Sequence, residues 1–331
     1  MKYWFLSANL IVGFCFLANA QEELSLEKLK VRGTKNQRSV YDTSDSVSVL
    51  QEKDVVIGGS ENNLEILNAV PNVEVNKNGD SFSIRGINST GATGYQKDNL
   101  ASLIVDNIFQ TDLALQAGSF SLWDMERLEV LRGAQSTQLG VNSLAGAILL
   151  DHQSPRSNRE GAAKIALGNL GHKETGIVVN QPLSSHFYLR LNYDKELHEG
   201  FIDNTITGKT NWGGWDKDRA GLNMKWQPTD KDEFELGAKF HQNRQGGTYT
   251  QGTEPFADHV FEDQDFIQNT LNHQYRMKYD RKFSENLSAS AVGTFSKSEQ
   301  AIFSDADGTS QPTAGTRQDF HNDHYGSLET L

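Results

Sequence analysis

Phe187-Tyr188-Leu189-Arg190-Leu191-Asn192-Tyr193-Asp194 puts an apolar residue at every odd position and polar groups at most even ones. A period of two places the two sets on opposite faces of a β-strand. The same grammar runs on through the chain. Leu222, Met224 and Trp226 alternate with Asn223 and Lys225; Phe234, Leu236, Ala238 and Phe240 with Glu235, Lys239 and His241. Tyr275, Met277 and Tyr279 alternate with Arg276, Lys278 and Asp280; Leu287, Ala289, Ala291 and Phe295 with Ser288, Ser290, Thr294 and Ser296. Taken alone, these strands suit a soluble antiparallel sandwich as well as any other one-face-apolar sheet.

The connections separate the two. Tight turns are expected at Pro182–Ser185, Pro228–Asp232 and Phe283–Asn286, and long polar stretches at Glu196–Lys217, Asn243–Gln268 and Ala301–Asp319. Short and long connections in strict alternation are the plan of an outer-membrane barrel. Phe187, Tyr193, Trp226, Phe234, Phe240 and Phe295 lie where interfacial aromatic girdles would be.

The beginning of the chain agrees with export. Lys2, the apolar run Leu10–Leu17 and Ala18-Asn19-Ala20 have the layout of a secretory signal peptide cleaved after Ala20. The single cysteine, Cys15, lies inside that leader, so the mature chain has neither a disulfide framework nor a Cys-based metal site. Loss of Lys2 takes the net charge from -12 to -13. Such an acidic balance argues against a nucleic-acid partner. After residue 20 no window has the apolar length of a membrane-spanning helix.

Upstream of the turn-rich Ser154–Arg159 the pattern is mixed. Ser60 can cap a short helix through Leu64 and Leu67 that Pro71 ends. Val73 and Val75, then Asn78-Gly79, then Phe82 and Ile84 read as a β-hairpin. Leu103–Val105, Leu128–Leu131 and Ala147–Leu150 are further strands. The organisation expected is a leader (1–20), an N-terminal extension (21–40), a compact α+β unit (41–155) and antiparallel strands (160–331).

Within the α+β unit, the run from Asp124-Met125-Glu126-Arg127-Leu128-Glu129-Val130-Leu131-Arg132-Gly133 through Gly140 to Leu144-Ala145-Gly146-Ala147-Ile148 resembles the plug signature of TonB-dependent outer-membrane receptors. Ser83-Ile84-Arg85-Gly86 is similar to that family's Ile-Arg-Gly segment, and Ile104-Val105-Asp106-Asn107 to its Val-Asp-Gly stretch. Ala134, Leu139 and Asn107 depart from the usual Pro, Tyr and Gly. The resemblance implies an α+β plug domain followed by transmembrane strands of a 22-stranded outer-membrane barrel, of which about seven or eight strands are expected here. The sequence thus reads as the N-terminal part of a longer receptor.

The resemblance carries further expectations. Arg85 and Arg132 would pair with barrel carboxylates and lock the plug, and Gly86, Gly133, Gly140 and Gly146 would allow sharp turns or close backbone approach. Glu27-Lys28-Leu29-Lys30-Val31-Arg32 resembles the TonB box, which would pair with the energy-transducing protein TonB by strand addition. A plain first plug strand remains the other reading of those six residues. The implied activity is energised uptake of a scarce small-molecule ligand, most commonly a ferric siderophore, otherwise haem, cobalamin or a saccharide, across the outer membrane of a Gram-negative bacterium. The partners would be TonB, the iron chelate and outer-membrane lipid. Trp215, Gln245 and Tyr249 are ligand candidates by loop position alone. A passive structural or adhesive barrel and a soluble periplasmic binding module are the rival readings.

Catalytic patterns are missing. There is no phosphate loop, no G-x-S-x-G and no H-E-x-x-H. His321 and His324 would face opposite sides of a strand, and Thr316 stands where a calcium loop beginning at Asp305 needs its bidentate Glu. No enzyme, cofactor or metal site is expected.

Overall fold

The computed structural model describes residues 30–31, 38–39, 46–52, 54, 63–75, 81–89, 100–135, 139, 143–247, 259–260, 265–285, 287–305 and 316–330. The leader with Ala20, the Asn78-Gly79 turn, Gly140 and Tyr249 lie outside them.

The N-terminal part starts with β1 (Lys30–Val31) paired antiparallel to β2 (Arg38–Ser39). There follow β3 (Ser46–Gln51), a 3-10 helix (Asn63–Ala69), β4 (Val73–Val75), β5 (Phe82–Ile84) and β6 (Ile87–Asn88). Next come β7 (Ala101–Val105), β8 (Ile108–Phe109), helix α1 (Asp112–Gln116), β9 (Met125–Arg132) and β10 (Gly146–His152). The expected hairpin is present as β4–β5, with Val73 opposite Ile84. The helix expected before Pro71 is a 3-10 helix, because Val70 N bonds back three residues to Leu67 O and the chain turns before an α-helical ladder can extend. A five-stranded sheet in the order β3-β9-β10-β7-β8 carries the core: Leu67, Ile84, Leu103, Met125, Leu128 and Ile148 are fully or almost fully buried. Gly146 opens β10 at φ 149°, where a Cβ would lie 2.3 Å from the Leu131 carbonyl oxygen. Close packing against β9 therefore demands glycine.

The remaining strands are β11 (Glu160–Leu167), β12 (Lys173–Pro182), β13 (Phe187–His198), β14 (Asp203–Asn204), β15 (Gly214–Thr229), β16 (Asp232–Gly246), β17 (His259–Val260), β18 (Ile267–Ser284), β19 (Leu287–Asp305) and β20 (Thr316–Thr330). Eight of them form one antiparallel sheet in the order β11-β12-β13-β15-β16-β18-β19-β20. Strands β11 and β12 and helix α1 have no counterpart in the sequence reading. Both faces of β12 carry valine or isoleucine, which blurs its alternation, and α1 spans five residues with only Leu113 and Ala114 buried.

The polar connections are shorter than the composition suggests. Pairing continues to His198 and resumes at Gly214, runs to Gly246 and resumes at Ile267, and runs to Asp305 and resumes at Thr316. Alternating amides and hydroxyls at these strand ends still satisfy the ladder, because the backbone bonds do not depend on side-chain polarity.

The face that is buried decides the kind of sheet. Gln274 is 0% exposed while its neighbour Tyr275 is 50% exposed. Arg190, Asp194, Arg219, Lys239, His241 and Asn272 are buried; Leu191, Trp226, Leu236, Tyr275 and Phe295 are exposed. The sheet is polar inward and apolar outward, the inverse of a soluble sandwich. Phe187, Trp226, Phe234 and Tyr279 share one outward ladder row near the short turns, with Trp226–Phe234 and Phe234–Tyr279 stacked at 5.4 and 4.5 Å. The N-terminal unit packs on the polar inner face.

Candidate functional site: the seam between the N-terminal unit and the strand wall

Residues 106–124 of the N-terminal unit lie against the inner face of β13, β15, β16, β18 and β19. Helix α1 is built by local signals. The Thr111 hydroxyl accepts from Ala114 N at its start, and Gly118 at φ 89° ends it. Gly118 N bonds to Leu115 O and Ser119 N to Ala114 O, a Schellman closure. The Gly118 carbonyl is left over, and Arg219 Nε of β15 donates to it at 2.9 Å. The same guanidinium bonds Asp194 and, at 2.6 Å, Glu196, while Lys217 lies 3.4 Å from Glu196. Two carboxylates and two cations thus balance on the wall itself.

A second clasp forms at the β7–β8 turn. Asp106 and Asn107 occupy φ 50° and 68°, the left-handed pair that a two-residue hairpin requires. Asn107 tolerates that conformation where the family pattern has glycine. The Asp106 carboxylate accepts from His152 N at 2.8 Å and from the Lys239 ammonium of β16, and lies 2.9 Å from His152 Nδ1. Burial pushes Asp106 up, but Lys239 and His152 more than offset it and hold the carboxyl well below the usual carboxylate range. His152 Nε2 donates to the Ser121 carbonyl at 3.0 Å.

The third clasp is Asp124, also left-handed at φ 62°. Arg190 of β13 reaches both of its oxygens, Nε to Oδ2 at 2.9 Å, and also bonds Glu160 at 3.3 Å. The side chains of Arg190 and Asp124 are 6% and 2% exposed. Next to this clasp, Trp123 Nε1 donates to the Ile177 carbonyl, and its ring fills the space beside Gly176.

Toward β18 and β19 the seam is mainly amide, with the Arg276 guanidinium of β18 3.5 Å from Asn107 Oδ1. Gln274 Nε2 donates to Gln110 Oε1 at 2.7 Å, Gln300 Nε2 to Gln116 Oε1 at 2.5 Å, and Asn243 Nδ2 to Gln116 O at 2.8 Å. One flank is therefore ion-paired and the other is an amide ladder.

Among the described residues, the three clasps do not use Arg85 or Arg132. Arg132 is buried, and its described bonds all stay in the N-terminal unit: to Pro71 O at 2.9 Å, Ser46 Oγ at 3.2 Å and Ser48 Oγ at 2.6 Å. Burial, then the like charge of Arg85, pulls its pKa down. Arg85 is exposed at φ 54°. In the Asp106 and Asp124 clasps the aspartates belong to the N-terminal unit and the cations to the strands. Gly86 and Gly133 take φ 76° and 103°. Of Glu27, Lys28, Leu29, Lys30, Val31 and Arg32, only Lys30 and Val31 are described, as β1. Trp215 stacks on His198 at 4.2 Å and donates to Glu196, while Gln245 lies in β16 opposite Trp215. Asp106, Asp124, Arg190, Arg219 and Lys239 escaped the sequence reading as clasp residues. The only signal was a charged residue at an inward strand position, which identifies neither partner.

Residues 39–147 match the family model described as the TonB-dependent Receptor Plug Domain. That match identifies the N-terminal unit as a plug domain of the TonB-dependent receptor kind. The seam is accordingly a plug–barrel seam. The chain is 23% identical over 201 residues to the vitamin B12 transporter BtuB of Vibrio vulnificus, covering 59% of itself and 32% of that protein. It is 26% identical over 158 residues to the catecholate siderophore receptor Fiu of Escherichia coli K12, covering 47% of itself and 20% of Fiu. Its fold is that of the ferric yersiniabactin uptake receptor FyuA from Yersinia pestis, with a TM-score of 0.72, 15% identity, and coverage of 86% of this chain and 45% of FyuA. The chain thus spans about a third or less of the curated relatives it matches.

Proposed function

We propose that this chain forms the plug and the first barrel strands of a TonB-dependent importer in the outer membrane of a Gram-negative bacterium, with a ferric siderophore as the preferred ligand class. The single observation that supports this reading most is the inverted wall: apolar side chains face outward, and a plug-type α+β unit is clasped to the polar inner face by Asp106–Lys239, Asp124–Arg190 and the Gly118–Arg219 bond. A membrane outside and a gated lumen inside would require that distribution. The siderophore preference leans on the names of Fiu and FyuA; BtuB keeps cobalamin as the second choice.

In this reading residues 1–20 are the leader cut after Ala20, 21–40 the extension, 41–155 the plug and 160–331 barrel strands. Glu27–Arg32 would offer an edge to TonB, whose pull would reach the plug through β1. Gly86, Gly133, Gly140 and Gly146 would serve the plug backbone, Arg132 would add internal cohesion, and Arg85 and Arg132 stay the candidates for pairing with barrel carboxylates. The test is uptake of radiolabelled ferric siderophores, with labelled cobalamin in parallel, by cells expressing the protein. Uptake that stops with a protonophore or without TonB supports the reading. Uptake indifferent to both, or a protein fractionating with the periplasm, overturns it.

A further inference from the structure

Between the three clasps the plug and the barrel wall do not quite touch. A cavity of about 20 Å³ remains, lined by Ser119 and Ser121 of the plug, His152, and Asp194, Arg219, Lys239 and His241 beside it. One water needs about 10–15 Å³ and commonly takes about three hydrogen bonds. Ser119 is 1% exposed, and its Oγ finds no hydrogen-bond partner among the described residues. A buried hydroxyl left in that state is costly.

We propose that this cavity binds one water molecule that bridges plug and barrel through Ser119 Oγ. The charges around it are already matched. Arg219 is engaged by Asp194, Glu196 and Gly118 O; Asp194 also accepts from Ser121 Oγ; and Lys239 faces Asp106. With Lys217 on Glu196, three cations and three carboxylates cancel, and a net-neutral shell selects water over an ion. It also offers the partners a water needs. The Lys239 ammonium has three protons, and Asp106 takes one of them. Asn272 spends its amide protons on Ser296 and Ser298, so its Oδ1 accepts from His241 Nδ1, which leaves the Nε2 lone pair of His241 free for a donor. Ser119 Oγ supplies the plug side. The water is a further link across the seam, made without an ion pair, as are the amide contacts toward β18 and β19.

The experiment compares Ser119→Thr, which keeps the hydroxyl, with Ser119→Val, which has the same shape without it. Two readouts apply to the purified full chain: a structure at better than about 2 Å resolution, and amide hydrogen exchange of residues 118–124. A peak within hydrogen-bonding distance of Ser119 Oγ in the parent and in S119T, with exchange about tenfold faster in S119V than in S119T, supports the site. An empty cavity in the parent, a halide in the anomalous map after bromide soaking, or equal exchange in the two variants overturns it. None of these readouts involves uptake, so the result stands apart from the importer reading.

Discussion

Replacing Arg190 with Gln tests the ion-paired flank of the seam. The perturbation leaves Asp124, with a side chain 2% exposed, as a buried carboxylate without its bidentate partner. Removing one member of a buried pair costs about 3–5 kcal/mol, because the remaining charge is uncompensated. Asn192 Nδ2, 3.4 Å from Asp124 Oδ2, keeps a weak donor in place and argues for the lower end, about 3 kcal/mol. At about 1.4 kcal/mol per decade, local opening of the plug segment ending at Asp124 should rise about a hundredfold. Hydrogen exchange of peptides covering 118–125 reads this directly, with β10 (146–152) as an internal reference that should stay within about threefold. Adding Asp124→Asn to Arg190→Gln should recover most of the protection, since a neutral pair strands no charge. Exchange of 118–125 unchanged in Arg190→Gln, or a double variant worse than the single, would refute the clasp.

The Asp106 clasp carries a pH signature. A carboxyl depressed below its unfolded value contributes stability that is present above about pH 4 and is lost as pH falls through the lower folded value. Protection of residues 103–110 should therefore fall as pH drops below about 4 in the parent, and Asp106→Asn should flatten that component. Gly146→Ala should destabilise the plug by about 1–3 kcal/mol through overpacking, because its Cβ would sit 2.3 Å from Leu131 O; an unshifted melting temperature speaks against it. Leu29→Pro should abolish energised uptake while leaving ligand binding intact, because proline removes a donor from the strand that TonB would pair with; normal uptake by that variant excludes the box assignment.

Read from the chain alone, alternation in Phe187–Asp194 and its successors determined that the second part is an antiparallel sheet, since side chains in extended backbone must point alternately to two sides. The plug signature from Asp124 to Ile148 was legible for a similar reason: it fixes many residue types in order, and the strands, turn glycines and core hydrophobes that it encodes are local. Sequence could not say which face of the sheet is the inside. Period two is the same for a soluble sandwich and a membrane wall, and only the packing of the plug against Arg190, Arg219, Lys239 and Gln274 buries the polar side. Nor could it choose the clasp partners. Asp106 meets Lys239 across 133 residues and Asp124 meets Arg190 across 66, so each pairing exists only once the wall curves around the plug. Arg132, which stands before a glycine, bonds among the described residues to Pro71, Ser46 and Ser48 inside the plug, acceptors that its sequence position did not reveal. Local backbone geometry is written in neighbouring residues, whereas the sign and identity of a long-range charge partner are set by which surfaces the finished topology brings within about 3 Å of each other.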